Sequence, residues 1–320
     1  MAQPPTDNRL VRRDVPWQRH PTDHILSICP ILSHPRLRGA VASSSKRLDA
    51  ITTALKGHYD IKEELGRGGM AGVYAAIRLA DGDRVAVKVL RPEFAVSVGA
   101  ERFHREIRFL QQLDHANILP LLTSEQIGNF LLYVMPFAAG GSLSTRLKEQ
   151  VTFPLDEVLA ITRSIAAALD YAHEQNVIHR DIKPGNILFH DGRAVLCDFG
   201  VARAIVEAGG EHLSSSGLII GTPSYMSPEQ ASGKSELGPT SDIYSLACVV
   251  YEMLVGEPPF TGRSAQAVMA RHVSEQPPKL RVVRPELPQH AEDAVLKGLS
   301  KKPADRPESA GVLVAGLAGN

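Results

Sequence analysis

The sequence predicts an α+β chain: strands and one main helix between about 58 and 137, and mostly helices from about 138 to 318. Three observations carry this. Residues 59–90 read as strands set around a glycine-rich turn. From Asp156 onward apolar residues recur at helical spacing. Between these regions the stretch 177–189 (VIHRDIKPGNILF) holds a polar centre with Pro184 and Gly185 between apolar anchors, which predicts a fixed loop.

The 320 residues are 43% hydrophobic and 22% charged, as expected of a globular protein, and could fill either several domains or one large bilobed unit. The formal net charge is zero, so composition points to neither nucleic acid nor a membrane surface. Basic residues nevertheless gather early: residues 1–57 hold nine Lys/Arg and four Asp/Glu. Cys29, Cys197 and Cys248 are scattered, with no disulfide framework and no metal-ligand spacing, which suits a reducing compartment. No apolar run approaches the length of a transmembrane helix and the first residues lack a signal-peptide core, so a cytoplasmic location is expected.

Residues 1–45 mix prolines and arginines without periodicity and read as a disordered basic tail, with a docking arm for an anionic partner as the alternative. Residues 46–57 suit a short lead-in helix. Strands are expected at Tyr59–Leu65, Val73–Leu79 and Val85–Leu90. The turn Gly66-Arg67-Gly68-Gly69-Met70-Ala71-Gly72 leaves backbone N–H groups open to approach by phosphate. Lys88 interrupts a valine-rich strand. Residues 99–114 predict a helix with Phe103, Ile107, Leu110 and Leu113 on one face; Glu106 shares that face, needs a partner, and has Lys88 as its candidate.

Further strands are expected at Ile118–Leu122 and Phe130–Met135, and helices at Asp156–Glu174, Ile243–Val255 (with Ser241 as N-cap and Asp242 in its first turn), Ser264–Glu275, Ala291–Ser300 and Pro307–Ala318. Ile187–Phe189 and Ala194–Cys197 predict a hairpin that ends on Asp198-Phe199-Gly200. Cys197 is expected to be a small buried hydrophobe.

His179-Arg180-Asp181-Ile182-Lys183-Pro184-Gly185-Asn186 followed by Asp198-Phe199-Gly200 resembles the catalytic loop and magnesium-binding motif of the eukaryotic-like (Hanks-type) serine/threonine protein kinases, in their bacterial branch. The resemblance covers about residues 58–318 and implies a small N-lobe (58–137) and a larger C-lobe (138–318). It implies ATP as cofactor with Mg²⁺ (or Mn²⁺) held by Asn186 and Asp198, and transfer of the γ-phosphate to Ser/Thr hydroxyls of proteins. Asp181 would be the base, Lys183 would reach the γ-phosphate, and Lys88, paired with Glu106, would hold the α- and β-phosphates. Leu65, Gly66, Arg67, Gly68, Gly69, Met70, Ala71, Val73 and Ala86 would surround the nucleotide; Ala71 stands at the family's third glycine. Met135 falls at the gatekeeper, and the main chain of Pro136 and Ala138 would bind adenine.

The resemblance also makes Asp242 a partner of the catalytic-loop backbone and Glu229, in Ser227-Pro228-Glu229, the partner of Arg306. Arg180 would receive a phosphate on Ser216 or Ser214 of the activation segment, added through a transient dimer. Two other readings share the fold: a scaffold without transfer activity, and a kinase of small molecules such as aminoglycosides or choline. The filled polar positions oppose the first, and the segment Thr222–Gln230, suited to supporting a peptide, opposes the second.

Overall fold

The structure, a computed structural model, describes residues 48–320 apart from 93–94, 96–99, 200–221 and 235–236. The tail 1–45, Gly200, Ser214 and Ser216 lie outside the described residues. The chain divides into two units, 1–50 and 51–320. Of the first, residues 48–50 are described and are helical. The second begins with helical residues 51–54, anchored by buried Ile51 and Leu55.

A five-stranded antiparallel sheet follows, in the order β1-β2-β3-β5-β4: β1 (Tyr59–Arg67), β2 (Ala71–Arg78), β3 (Arg84–Leu90), β4 (Thr123–Ile127) and β5 (Phe130–Pro136). Register puts Val73 opposite Lys88 and Lys88 opposite Tyr133; two residues along, Ala75 lies opposite Ala86 and Ala86 opposite Met135. With a side-chain period of two, these six residues share one face of the sheet. Against it lies α1 (Ala100–Leu110), which buries Phe103, Ile107 and Leu110.

The strand expected at Ile118–Leu122 is not formed. Ile118 bridges Leu196, and Leu119 N–H donates to Leu196 C=O (2.9 Å), so this apolar run is drawn into the core beside a later strand. The polar stretch Thr123–Ile127 takes the sheet edge instead, where a strand is covered on one side only and apolar alternation is not required.

The rest is mostly helical: α2 (Leu143–Glu149), α3 (Leu155–Glu174), α4 (Pro228–Ala231), α5 (Pro239–Val255), α6 (Ala265–Ser274), α7 (Leu280–Val283), α8 (Gln289–Gly298) and α9 (Ala310–Ala318), with the hairpin β6 (Ile187–His190) and β7 (Arg193–Leu196). α3 buries Val158, Ile161, Ile165, Leu169 and Ala172 at helical spacing, and Asp156 and Glu157 in its first turn suit the helix dipole.

Almost every residue of α5 from Ser241 to Leu254 is buried, so it serves as the central core helix. Each large apolar side chain buried there contributes about 1.5–3 kcal/mol. Gly256 stops α5 at φ +94°, and a Cβ there would also meet Val151 Cγ1 at 2.7 Å. Ser241 is not the N-cap of α5. Pro239 starts the helix one turn earlier because its fixed φ suits a first helical position, and the Ser241 hydroxyl donates to Glu229 instead.

Candidate active site

The loop 177–186 is held from below. Asp242, on α5 and 1% exposed, accepts the backbone N–H of His179 (2.7 Å) and of Arg180 (2.8 Å), and its Oδ2 lies 2.8 Å from His173 Nε2 at the end of α3. A buried carboxylate with several donors is well compensated, and it fixes a backbone that is otherwise unfavourable: Arg180, whose N–H it accepts, sits at φ +69°. His179 Nδ1 accepts from Asp181 N–H (3.2 Å), so its Nε2 carries the proton and donates to Cys197 C=O (2.9 Å). Cys197 N–H in turn donates to Asn186 C=O (3.0 Å). The two motifs are thereby tied together through a buried imidazole whose ring packs edge-on against Phe199, with centroids 4.6 Å apart.

Asp181, Lys183 and Asn186 form one cluster. Lys183 Nζ donates to Asp181 Oδ2 (2.6 Å), while Asn186 Nδ2 donates to Asp181 C=O (2.7 Å) and Oδ2 (3.1 Å). Because the amide nitrogen of Asn186 is committed to Asp181, its side-chain oxygen is the atom left for another partner. An amide oxygen and the Asp198 carboxylate form a sparse, hard donor set. That suits Mg²⁺, which keeps waters and takes substrate phosphates for the rest of its shell.

Across the cleft, Lys88 Nζ lies 2.5 Å from Asp198 Oδ2, and Tyr133 Oη donates to Asp198 Oδ1 (2.6 Å). Burial works against the charge on Asp198, but Lys88 and Tyr133 outweigh it and its carboxyl lies below the usual range. Lys88 is likewise raised, Asp198 overcoming the burial that would neutralise it. The expected Lys88–Glu106 pair is not formed. Glu106 is half-exposed on α1 and pairs with its neighbour Arg105 (3.2 Å), while the more buried Asp198 has taken the lysine. Desolvation explains the choice, since a carboxylate near water needs a partner less than one sealed from it.

The expected nucleotide surroundings lie around the same face of the sheet. Ala86 and Met135 are buried side by side, with half-buried Val73 nearby on β2. The end of β1 and the turn after it are exposed from Gly66 to Gly69; Gly68 N–H bonds Ala71 C=O (2.9 Å), and Arg91, just after β3, holds the turn through Gly68 C=O (2.7 Å) and Met70 C=O (2.9 Å). Arg67 is turned to Glu64 (2.7 Å), and Leu65 is 46% exposed. Pro136 and Ala138 are half-buried where the chain leaves β5. Gly140 then packs so closely on Phe189 that a Cβ would lie 2.7 Å from its Cβ and carbonyl oxygen.

Below the site, Glu229 meets Arg306 in a bidentate pair (2.7 and 2.8 Å) and accepts from Ser241 Oγ (2.6 Å). Burial opposes the charge, yet the guanidinium and the hydroxyl hold the Glu229 carboxyl down at about 2. The α4 turn carrying it is capped by Ser227 and Gln230 in a reciprocal capping box, and Gln230 Nε2 reaches Arg180 C=O (2.8 Å). Tyr133 and His173 escaped the sequence reading. For Tyr133 the available signal was a hydroxyl on the strand face that also carries Met135.

A five-stranded sheet carrying Lys88, a mainly helical part and a loop with Asp181, Lys183 and Asn186 between them make up a protein-kinase fold. The chain belongs to the protein kinase domain family, whose model it matches over residues 59–314. It is 37% identical over 267 residues to the serine/threonine-protein kinase PknH of Mycobacterium bovis, covering 83% of this chain and 44% of that protein. With PrkC of Bacillus subtilis it shares 35% identity over 258 residues, 80% of this chain and 39% of that protein. The chain thus spans less than half the length of these curated relatives. The crystal structure of the Mycobacterium tuberculosis PknI kinase domain superposes with a TM-score of 0.64 at 28% identity, covering 82% of this chain and 96% of that one.

Proposed function

We propose that the chain is an ATP-dependent serine/threonine protein kinase that transfers the γ-phosphate of Mg-ATP to Ser/Thr hydroxyls of proteins. The observation that supports this best is the cluster of Asp181 with Lys183 and Asn186, tied through the Asn186–Cys197 backbone bond to a second carboxylate, Asp198, which Lys88 of β3 reaches. Phosphoryl transfer asks for positioning and charge neutralisation more than for covalent chemistry.

In this reading Asp181 orients the acceptor hydroxyl and takes its proton. Lys183, held against Asp181, balances charge growing on the transferred group. Asn186 and Asp198 would hold Mg²⁺, with Mn²⁺ as a substitute; the cation neutralises the phosphate oxygens. Lys88 leaves Asp198 for the α- and β-phosphates, and Glu106 would then be its carboxylate partner in a rearranged site. Gly66, Gly68, Gly69 and the turn around Met70 cover the phosphates, while Leu65, Val73, Ala86 and Met135 enclose adenine and the Pro136 and Ala138 main chain hydrogen-bonds it.

Arg180 is the proposed receiver for a phosphate on Ser216, or secondly on Ser214, added in trans within a transient dimer. No helix among the described residues is long and apolar enough to cross a membrane, and the proposed workplace of this domain is the cytoplasm, where ATP is supplied.

Radiolabel transfer from ATP to a generic protein substrate tests the reading, with Asp181→Asn as control. Mass spectrometry of residues 198–229 after incubation with Mg-ATP tests the switch. Transfer equal to the control overturns the kinase reading. Absence of phosphate in that segment, with transfer intact, removes only the switch.

A further inference from the structure

We infer that Tyr133 is a positioning residue that fixes the Asp198 carboxylate and presents one of its oxygens to the divalent cation. The inference rests on Asp198 being a cation ligand, as proposed above. Lys88 on β3 and Tyr133 on β5 are direct cross-strand partners, so their side chains leave the same face of the sheet side by side. Each takes a different oxygen of one carboxylate: Lys88 Nζ meets Oδ2 at 2.5 Å and Tyr133 Oη meets Oδ1 at 2.6 Å. A carboxylate held through one oxygen can still turn about its Cβ–Cγ bond; held through both, its plane is fixed.

The two holders differ in what they can do next. Lys88 is a flexible cation that phosphates can draw away, which frees Oδ2. Tyr133 is 0% exposed, its ring packs at 6.4 Å from Phe103 of α1, and its hydroxyl stays where the strand puts it. When Lys88 departs, Oδ1 remains bonded to Tyr133 and Oδ2 is released.

A buried tyrosine ordinarily finds some hydrogen-bond partner, and that alone would imply no role. Here the neighbours on β5, Leu131, Leu132, Val134 and Met135, are all buried and apolar, so phenylalanine would satisfy the packing equally well. The hydroxyl adds a bond to a charged group at the atom pair proposed to meet the cation. Asp198 also sits at φ +67°, a sparsely populated backbone state that persists only where surrounding contacts hold it.

The test measures binding by calorimetry: a non-hydrolysable ATP analogue is titrated into the full chain over a range of free Mg²⁺. Tyr133→Phe keeps the ring and its packing, and circular dichroism melting checks that the fold is retained. The expected result is a Mg²⁺ midpoint raised about tenfold, the scale of one hydrogen bond to a charged group. Asp198→Asn raises it further, and the double variant is no worse than Asp198→Asn alone.

A midpoint unmoved by Tyr133→Phe but moved by Asp198→Asn overturns the inference and leaves the ligand assignment standing. A lowered midpoint overturns it too, since Tyr133 would then compete with the cation. Additive effects in the double variant would place the action of Tyr133 elsewhere. If Asp198→Asn leaves the midpoint in place, the ligand assignment falls and this inference falls with it.

Discussion

Arg306 closes on Glu229 with both terminal guanidinium nitrogens, at 2.7 and 2.8 Å, and spends its remaining donors on the carbonyls of Thr240, Ser300 and Lys301. The Arg306 side chain is fully buried and that of Glu229 is 6% exposed, so the pair works inside the protein. Removing one partner leaves the other charge buried without compensation. Arg306→Leu is therefore expected to lower unfolding stability by about 3–5 kcal/mol. Urea denaturation measures it; a change within 0.5 kcal/mol, about the effect of an ordinary surface substitution, would mean the charges are solvated after all.

Acid should weaken the fold in two stages. Burial, with Lys301 nearby, pushes His272 down to about 4 from 6.5, so the folded state keeps it neutral while the unfolded chain is protonated; stability from this source is lost as pH falls from 6.5 through 4. Glu229, held at about 2 against 4.5, contributes stability above 4.5 that is lost as pH falls toward 2. Denaturation midpoints against pH should flatten between 6.5 and 4 in His272→Gln, and between 4.5 and 2 in Glu229→Gln. Wild-type slopes in both variants would contradict the assignments.

Asp181→Asn should cut phosphoryl transfer by about 10²–10⁴-fold while leaving Mg-ATP affinity within a few-fold. Asparagine keeps an oxygen able to accept from Lys183 Nζ, so the loop geometry survives and what is lost is basicity. Parallel loss of nucleotide affinity in calorimetry would assign Asp181 to the nucleotide instead.

Lys88→Met should abolish transfer and also leave the Asp198 charge buried without its ammonium partner, with the Tyr133 hydroxyl still bonded to it. Adding Asp198→Asn removes that charge, so the double variant should be more stable than Lys88→Met alone although both are inactive. Equal or lower stability in the double variant, by urea titration, would show that the Lys88–Asp198 contact contributes nothing to the resting fold.

Residues that work within a few positions of each other were the legible part of this site. Asp181, Lys183 and Asn186 lie on one turn of loop, and their spacing already implies their contacts. The helices α3 and α5 were legible because one carries a regular apolar stripe and the other is apolar all round. Choices between distant partners were not legible. Lys88 could meet Glu106 or Asp198, and the decision depends on how deeply each carboxylate is buried, which the sequence does not contain. Tyr133 reads as one more apolar strand residue until the register sets it opposite Lys88. Edge strand β4 was missed because its solvent side imposes no alternation.

The Glu229–Arg306 pair also bears on how the chain is made. Its partners are 77 residues apart, and the first is synthesised without the second. At about 5–20 residues per second the interval is roughly 4–15 s. For that time the capped turn at Ser227–Gln230 has its bonds to Arg180 and Ser241 available but lacks the guanidinium, and the Glu229 charge is uncompensated by Arg306. The floor beneath the catalytic loop can lock only after Arg306 has emerged, so the nascent protein passes through a period in which its sheet can be complete while its site is not. Ribosomes paused shortly before Arg306 would hold a chain with a folded sheet and an unlatched active site, exposed to chaperones and proteases for as long as the pause lasts.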